Sequence, residues 1–145
     1  MVLKELEEKL GTGLPGGWIL IDEAHNYIPR SEVIASKKPL IKYINEGRNI
    51  GLSIVAATQR PSGLDSSIIR NAGILLIHSM SMGEDIKEVK NMLNTSPIEE
   101  FAVDGKKVTK QAFEKAVRSL KAGYAIISDE MASRIFIARI RPRLT

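Results

Sequence analysis

The 145-residue chain has no cysteine and few aromatic residues: one tryptophan, three tyrosines and three phenylalanines. The lack of cysteine excludes a disulfide framework and a thiolate-bound metal, and it suits a reducing compartment. Two histidines without cysteine offer no zinc site. No apolar run reaches the roughly 20 residues of a membrane span, and the N-terminal segment MVLKELEEKL is too charged for a signal peptide. We therefore expect a soluble, cytoplasmic protein with no membrane partner.

Charge is distributed unevenly along the chain. The net charge is +4, and residues 103–145 carry ten basic side chains against four acidic ones. A basic C-terminal end is compatible with a polyanion as partner, but a solvated lysine surface would give the same composition. Arg134, Arg139, Arg141 and Arg143 lie in this region. For them we favour charge protection of an edge strand over nucleic-acid contact.

Apolar runs alternate with segments of helical spacing. WILI, LSIVAAT and GILLIHS predict three buried strands, and YAIISD with RIFIARI predicts a C-terminal hairpin. The intervening pattern predicts helices from about Pro39 to Arg48, over GLDSSIIRN, from Ser81 to about Leu93, and from about Thr109 to Leu120. This alternation predicts one α/β domain over residues 1–145, with a mostly parallel sheet and an antiparallel edge at the C-terminal end.

Two acidic residues, Asp22 and Glu23, directly follow the first predicted strand. The carboxyl ends of parallel strands line the crevice in which α/β proteins bind ligands. An aspartate there can hold Mg²⁺, directly or through water, and a neighbouring carboxylate can orient and polarise an attacking water. The pattern therefore fits the Walker B motif of nucleotide hydrolases, although a strand that ends in a capped turn would look similar.

The second predicted strand ends in Thr58 and Gln59, which we expect beside the acidic pair. A glutamine in this place can bond the γ-phosphate or the attacking water, and Thr58 is our further candidate for nucleotide contact. Arg48 lies in the segment NEGRNIG between the two strands. Its guanidinium can stabilise charge on a transferring phosphoryl group, or it can instead cap the end of a helix.

Together, ILIDEAHNYIP and EGRNIGLSIVAATQRPSGLDSSIIRNAG resemble the HerA branch of the HerA–FtsK superfamily of RecA-like motor ATPases. The terminal ARIRPRLT also resembles the end of the archaeal HerA core, so the likeness spans about residues 17–145. The resemblance implies a RecA-like P-loop ATPase core and assigns the Mg²⁺-binding acid to Asp22, acting through water. Glu23 would be the catalytic glutamate, Gln59 the sensor glutamine and Arg48 an arginine finger for a neighbouring subunit.

The same resemblance implies ATP and Mg²⁺ as cofactors and a hexameric ring that translocates double-stranded DNA, with a NurA-like nuclease as a further partner. DEAH also occurs in DEAH-box helicases, but those require a Ser-Ala-Thr motif and a second RecA-like lobe. We see neither in this sequence.

One part of the ATPase pattern is missing. The phosphate-binding loop G-x-x-x-x-G-K-[ST] does not occur, and the glycine-rich GTGLPGG before the first strand has no lysine followed by serine or threonine. We therefore expect a partial RecA-like domain, from Walker B onward, that belongs to a longer ATPase and is inactive alone. A non-catalytic module of a related ring, and a fragment of a conjugation or type IV secretion ATPase, remain the alternatives.

The residues that would touch DNA and the roles of the histidines are less specified. Arg30, Lys37 and Lys38 lie in the segment after Walker B and are our candidates for DNA-backbone contacts. For His25 two interpretations stay open: a switch linked to the γ-phosphate, or a hydrogen bond within a loop. We expect His78 to be structural.

Overall fold

The computed structural model describes residues 16–93, 100–103, 106–109, 112–132 and 134–141, without the side chains of residues 48, 50, 100–103 and 106–109. The chain forms two compact units, Met1–Asn71 and Ala72–Thr145. Most helices and strands of the two units follow the apolar periodicity of the sequence, and β4 (Glu100–Val103) with β5 (Lys106–Thr109) are the exceptions.

The described residues of the first unit, 16–71, form two parallel strands and two α-helices. Strand β1 (Gly17–Ile21) pairs with β2 (Leu52–Ala56) in a register that joins Gly17 to Leu52 and Ile21 to Ala56. Helix α1 spans Lys37–Glu46 and continues as a 3-10 helix over Gly47–Ile50, and α2 spans Ser66–Arg70. Shorter 3-10 helices lie at Ala24–Asn26 and Pro61–Gly63. The buried residues of this unit's core are Ala24, Ile28, Leu40, Leu64 and Ile68.

Two glycines allow β1 and β2 to approach each other at their N-terminal ends. Gly17 N–H donates to the carbonyl oxygen of Gly51 over 3.1 Å, and a Cβ on Gly16 would overlap that same oxygen. Gly51 itself has φ +70°, a backbone conformation that residues with a Cβ rarely adopt. Gly16 of the GTGLPGG segment thus serves close backbone approach in the structure.

The second unit is built around a five-stranded sheet in the order β3-β6-β7-β4-β5. The strands are β3 (Ile74–Ile77), β4 (Glu100–Val103), β5 (Lys106–Thr109), β6 (Tyr124–Asp129) and β7 (Arg134–Arg139). Helix α3 spans Gly83–Leu93 and α4 spans Phe113–Ser119. The buried core residues are Ile77, Ile86, Val89, Leu93, Phe113, Val117, Ile126 and Ile135.

The mixed α/β class, with a parallel strand pair and an antiparallel C-terminal hairpin, is confirmed. Antiparallel pairing extends further than we predicted, because β3 also runs antiparallel to β6. Our expectation for the arginine-bearing strand is corrected: β7 lies inside the sheet, between β6 and β4, and is not an edge strand. Edge protection therefore cannot explain Arg134 and Arg139, which stand at its two ends.

The helix predicted from about Thr109 is also corrected. Thr109 is the last residue of β5, which forms a hairpin with β4, and the helix begins at Phe113. Lys106–Thr109 contains only one strongly apolar side chain, so tertiary pairing decides its conformation. The sequence also predicts a turn near Pro97, a position that lies outside the described residues.

Candidate functional site

The parallel register brings two polar segments to one edge of the β1–β2 sheet. Asp22 and Glu23 follow β1, and Thr58 and Gln59 follow β2 after one intervening residue. Two backbone hydrogen bonds continue the pairing past the strands: Ala57 N–H donates to the carbonyl of Ile21, and Ala24 N–H to that of Ala57, each over 2.8 Å. The ends of the two strands are therefore held together by the backbone before any side chain contributes.

Glu23 has an unusual backbone conformation. Its φ of 47° and ψ of 49° lie in the left-handed region, where no other described non-glycine residue is found. An L-residue with a Cβ pays about 1–2 kcal/mol for this conformation, so surrounding contacts must maintain it. One such contact is local, since Glu23 N–H donates to Asp22 Oδ1 over 2.9 Å. Another is the complete burial of the next residue, Ala24, in the core.

Gln59 holds the Glu23 carboxylate from the neighbouring strand end. Its side-chain Nε2 donates to Glu23 Oε1 over 2.6 Å, and its backbone N–H donates to Oε2 over 3.4 Å. A charged acceptor makes the shorter bond stronger than a neutral one. Two residues that are 36 positions apart in sequence thus meet directly, as the sequence analysis predicted for this edge.

His25 and Thr58 form a second link between the same strand ends. His25 Nδ1 lies 2.9 Å from Thr58 Oγ1, within hydrogen-bond distance, and 3.4 Å from Glu23 Oε2. Thr58 Oγ1 also accepts the backbone N–H of Arg60 over 3.1 Å. Of the two interpretations left open for His25, the structure thus contains the hydrogen bond, and it joins the candidate site. Sequence spacing could not reveal this contact because it depends on the β1–β2 register.

Asp22 is exposed, and its Oδ1 already accepts the Glu23 N–H. No group of three potential metal ligands occurs among the described residues. Protein-bound Mg²⁺ commonly uses one or two carboxylates together with water and substrate phosphates, and the exposed Asp22 offers such a carboxylate. The residues present therefore fit a metal that arrives with nucleotide.

Arg48 lies in the 3-10 helix Gly47–Ile50 that follows α1, and its side chain lies outside the part that the structure describes. Its assignment as an arginine finger stays a prediction. The backbone position places it at the end of a helix, where either role considered above is possible.

The three candidates for DNA contact differ in their surroundings. Lys37 is committed to an ion pair with Asp65, with Nζ 3.0 Å from Oδ2 and with only 14% and 21% of the two side chains exposed. Its Nζ also donates to the carbonyl oxygen of Arg30 over 3.1 Å. Arg30 and Lys38 are both exposed. The three residues thus share a segment, in which the Lys37 ammonium is held by the ion pair with Asp65.

The Lys37 pair has an electrostatic consequence for Asp65. Burial raises the pKa of this carboxyl, but hydrogen bonds from the backbone and hydroxyl of Ser67, with the charge of Lys37, outweigh it and lower the pKa from 3.8 to about 2. Asp65 Oδ1 accepts Ser67 N–H over 3.0 Å and Ser67 Oγ–H over 2.7 Å, which makes Asp65 the N-cap of α2. The sequence GLDSSIIRN predicts an N-cap at Asp65 or Ser66, and the structure has it at Asp65, whereas the ion pair with Lys37 was not predicted.

No protein-family model and no curated protein matches this sequence. Solved structures with the same fold do exist. The genome packaging NTPase B204 from Sulfolobus turreted icosahedral virus 2, in complex with AMP, matches with a TM-score of 0.68 at 18% identity, over 99% of this chain and 62% of that one. Its complex with AMPPCP matches with a TM-score of 0.62 at 18% identity, over 86% and 54%.

The DNA-packaging ATPase B204 from Sulfolobus turreted icosahedral virus gives a similar match, with a TM-score of 0.62 at 20% identity over 86% of this chain and 52% of that one. At such identities the likeness concerns the fold, which is that of an NTPase domain. The present chain spans between 52% and 62% of the length of these three relatives. Among the described residues, none of the helices is both long and apolar enough to cross a membrane.

Proposed function

We propose that this chain is the Walker B-containing, C-terminal part of a HerA-like ATPase that translocates double-stranded DNA. The observation that carries the proposal is the bond between Glu23 and Gln59 at the ends of two parallel strands. Nucleotide hydrolases position the attacking water or hydroxyl with a carboxylate or a glutamine side chain, and this strand edge offers both. The proposal is further supported by the fold, because its structural relatives are NTPases captured with nucleotides.

In this proposal each residue of the site has one task. Asp22 would hold Mg²⁺ through water, and the metal would supply neutralisation of phosphate charge. Glu23 orients and deprotonates the attacking water, since its carboxylate oxygens have lone pairs beyond those that accept the two Gln59 N–H groups. Gln59 then bonds the γ-phosphate, and Thr58 contributes a hydroxyl to the same ligand.

The proposed activity needs a phosphate-binding loop, which the sequence does not contain. Backbone N–H groups and the lysine of such a loop cradle the phosphates, so we expect residues 1–145 alone to hydrolyse ATP negligibly. The complete assembly in this proposal is a hexameric ring in the cytoplasm, with a NurA-like nuclease as partner. Arg48 would act in the ATP site of the adjacent subunit.

For DNA, we propose that Arg30 and Lys38 contact the phosphate backbone and that Lys37 mainly orders their segment through Asp65. Each lost phosphate contact should reduce the slope of log affinity against log salt by about 0.9. Lys38→Ala should therefore make DNA affinity of the assembled ring less dependent on salt, with a slope that is less steep by about 0.9. Lys37→Ala should leave the slope closer to that of the unchanged chain while it lowers stability.

The test of the proposal is a mixing experiment. The chain is added to a full-length relative whose own arginine finger has been replaced and which is inactive alone, and ATP hydrolysis is measured. Rescue by the unchanged chain and by Arg70→Ala, but not by Arg48→Ala, is the expected result. Arg70 is a suitable control because it is an exposed arginine of the same unit. Absence of rescue in a mixture that demonstrably co-assembles would contradict the proposal.

A genome-packaging motor is a second candidate, because the structural relatives are a genome packaging NTPase and a DNA-packaging ATPase. Both candidates use the same site and differ in the direction and purpose of DNA movement. A β-barrel encoded ahead of the phosphate-binding loop of the complete gene would favour the HerA-like candidate.

A further inference from the structure

We propose that His25 is a positioning residue of the site. Its Nδ1 carries a hydrogen, which it donates to both Thr58 Oγ1 and Glu23 Oε2. This arrangement keeps the Thr58 hydroxyl hydrogen available to a third acceptor. The identity of that acceptor, a phosphate oxygen of a nucleotide, rests on the proposed function. The position of the hydrogen rests on the geometry of three side chains.

The first argument concerns Glu23. Its Oε2 lies 3.4 Å from His25 Nδ1, and the imidazole is largely buried, with 15% of the side chain exposed. An ionised carboxylate only accepts hydrogen bonds. A nitrogen without hydrogen would direct its lone pair towards this negatively charged oxygen, which is repulsive. A hydrogen on Nδ1 makes the same contact attractive.

The second argument concerns Thr58. A hydroxyl has one hydrogen to donate and two lone pairs with which to accept. One lone pair of Thr58 Oγ1 accepts the Arg60 N–H, over 3.1 Å. If Nδ1 also donates, over the observed 2.9 Å, both lone pairs are used and the hydroxyl hydrogen is left for another partner.

The opposite tautomer would have a different chemical consequence. If Nδ1 carried no hydrogen, the hydroxyl hydrogen of Thr58 would be used by the imidazole. Phosphate oxygens are acceptors at neutral pH, so Thr58 would then have nothing to offer them. The tautomer of His25 therefore decides whether the Thr58 hydroxyl can donate a hydrogen bond to a phosphate oxygen. The Glu23 carboxylate selects the tautomer that allows it.

The experiment is nuclear magnetic resonance of the ¹⁵N-labelled chain, which contains two histidines. Long-range ¹H–¹⁵N spectra separate protonated from unprotonated ring nitrogens, and His78→Asn assigns the two rings. His78 also provides an internal reference, because its Nδ1 lies 3.2 Å from the carbonyl oxygen of Tyr124, which can only accept. We expect a protonated Nδ1 in His25. An unprotonated Nδ1 with the hydrogen on Nε2 would overturn the proposal.

Two variants test positioning independently of the tautomer. Asparagine can place an amide N–H near the position of Nδ1, whereas alanine cannot. We expect His25→Asn to keep the Glu23 carboxyl ¹³C shift and the Gln59 side-chain amide shifts near their original values, and His25→Ala to change both. Unchanged shifts in His25→Ala would refute the positioning role, and so would equal changes in the two variants.

These readouts need no hydrolysis, so two failures can be told apart. A protonated Nδ1 without rescue in the mixing experiment would support the role of His25 and reject the proposed function. An unprotonated Nδ1 with rescue would reject the role and leave the function standing.

Discussion

At the ends of β1 and β2, in the unit Met1–Asn71, polar side chains bond to one another: Glu23 to Gln59, and His25 to Thr58. In the unit Ala72–Thr145 the side chains of α3, α4 and the sheet instead meet in a core of eight buried apolar residues. The buried core of the first unit has five, one of which is an alanine. Within the described residues, the first unit thus carries the candidate chemistry and the second the larger apolar core.

This difference follows from the cost of burying polar groups. A carboxylate and an amide remain usable only where water or ligand can reach them, and their full burial would cost several kcal/mol. The candidate site is accordingly at strand ends, with 34% of the Glu23 side chain exposed. Apolar side chains in the second unit contribute stability in proportion to the area they remove from water. We expect mutations in the two units to act through these different terms.

The largest expected effect is on the apolar core of the second unit. Phe113 is 1% exposed, so Phe113→Ala should lower the free energy of unfolding by about 3–5 kcal/mol through lost burial and a residual cavity. Met131, 87% exposed in the same unit, is the control, and Met131→Ala should change it by less than about 0.5 kcal/mol. Urea unfolding measures both. If both variants changed the free energy of unfolding by a similar, small amount, the apolar core would not be the main source of stability of the second unit.

A smaller effect is expected at the start of β1. A Cβ on Gly16 would overlap the Gly51 carbonyl oxygen, so Gly16→Ala must displace backbone and should cost about 1–3 kcal/mol. Gly73→Ala in the second unit is a matched control, because nothing lies within 4 Å of the Cβ position there. Thermal unfolding of the two variants gives the result. If Gly73→Ala destabilised the chain more than Gly16→Ala, the close contact between Gly16 and the Gly51 carbonyl would not limit stability as proposed.

The smallest expected effect is electrostatic. Asp65→Ala removes the N-cap of α2 and the partner of Lys37, and it should cost about 1 kcal/mol at neutral pH. Asp65→Asn can keep the cap but removes the charge.

The pH dependence of this contribution has a defined sign. The pKa of Asp65 in the folded chain is lowered from 3.8 to about 2, so its contribution is complete above the ordinary pKa and is lost as pH falls towards 2. Unfolding measured between pH 5 and 2 should show this loss in the unchanged chain and less of it in Asp65→Asn. Identical pH profiles in the two proteins would mean that the Asp65 charge does not contribute to the stability of the first unit.

Local sequence predicted the elements whose signals are local. The apolar runs of β1, β2, β3, β6 and β7 and the Asp65 cap of α2 were found because side-chain periodicity and capping act over a few residues. The β4–β5 hairpin was missed, since its strands contain lysine and glutamate, and their pairing depends on partners elsewhere in the sheet. The interior position of β7 was missed for the same reason.

By itself, then, the sequence determined that two carboxylates end one strand and that a threonine and a glutamine end the next. Tertiary structure decided which atoms meet: the parallel register aligns Ile21 with Ala56, and this brings Gln59 Nε2 to 2.6 Å from Glu23 Oε1. It also decided the left-handed backbone of Glu23 and the place of His25 between Glu23 and Thr58. The physical reason is the sequence distance over which each interaction acts. A strand is specified by residues next to one another, whereas a contact across 36 positions exists only once two strands have paired.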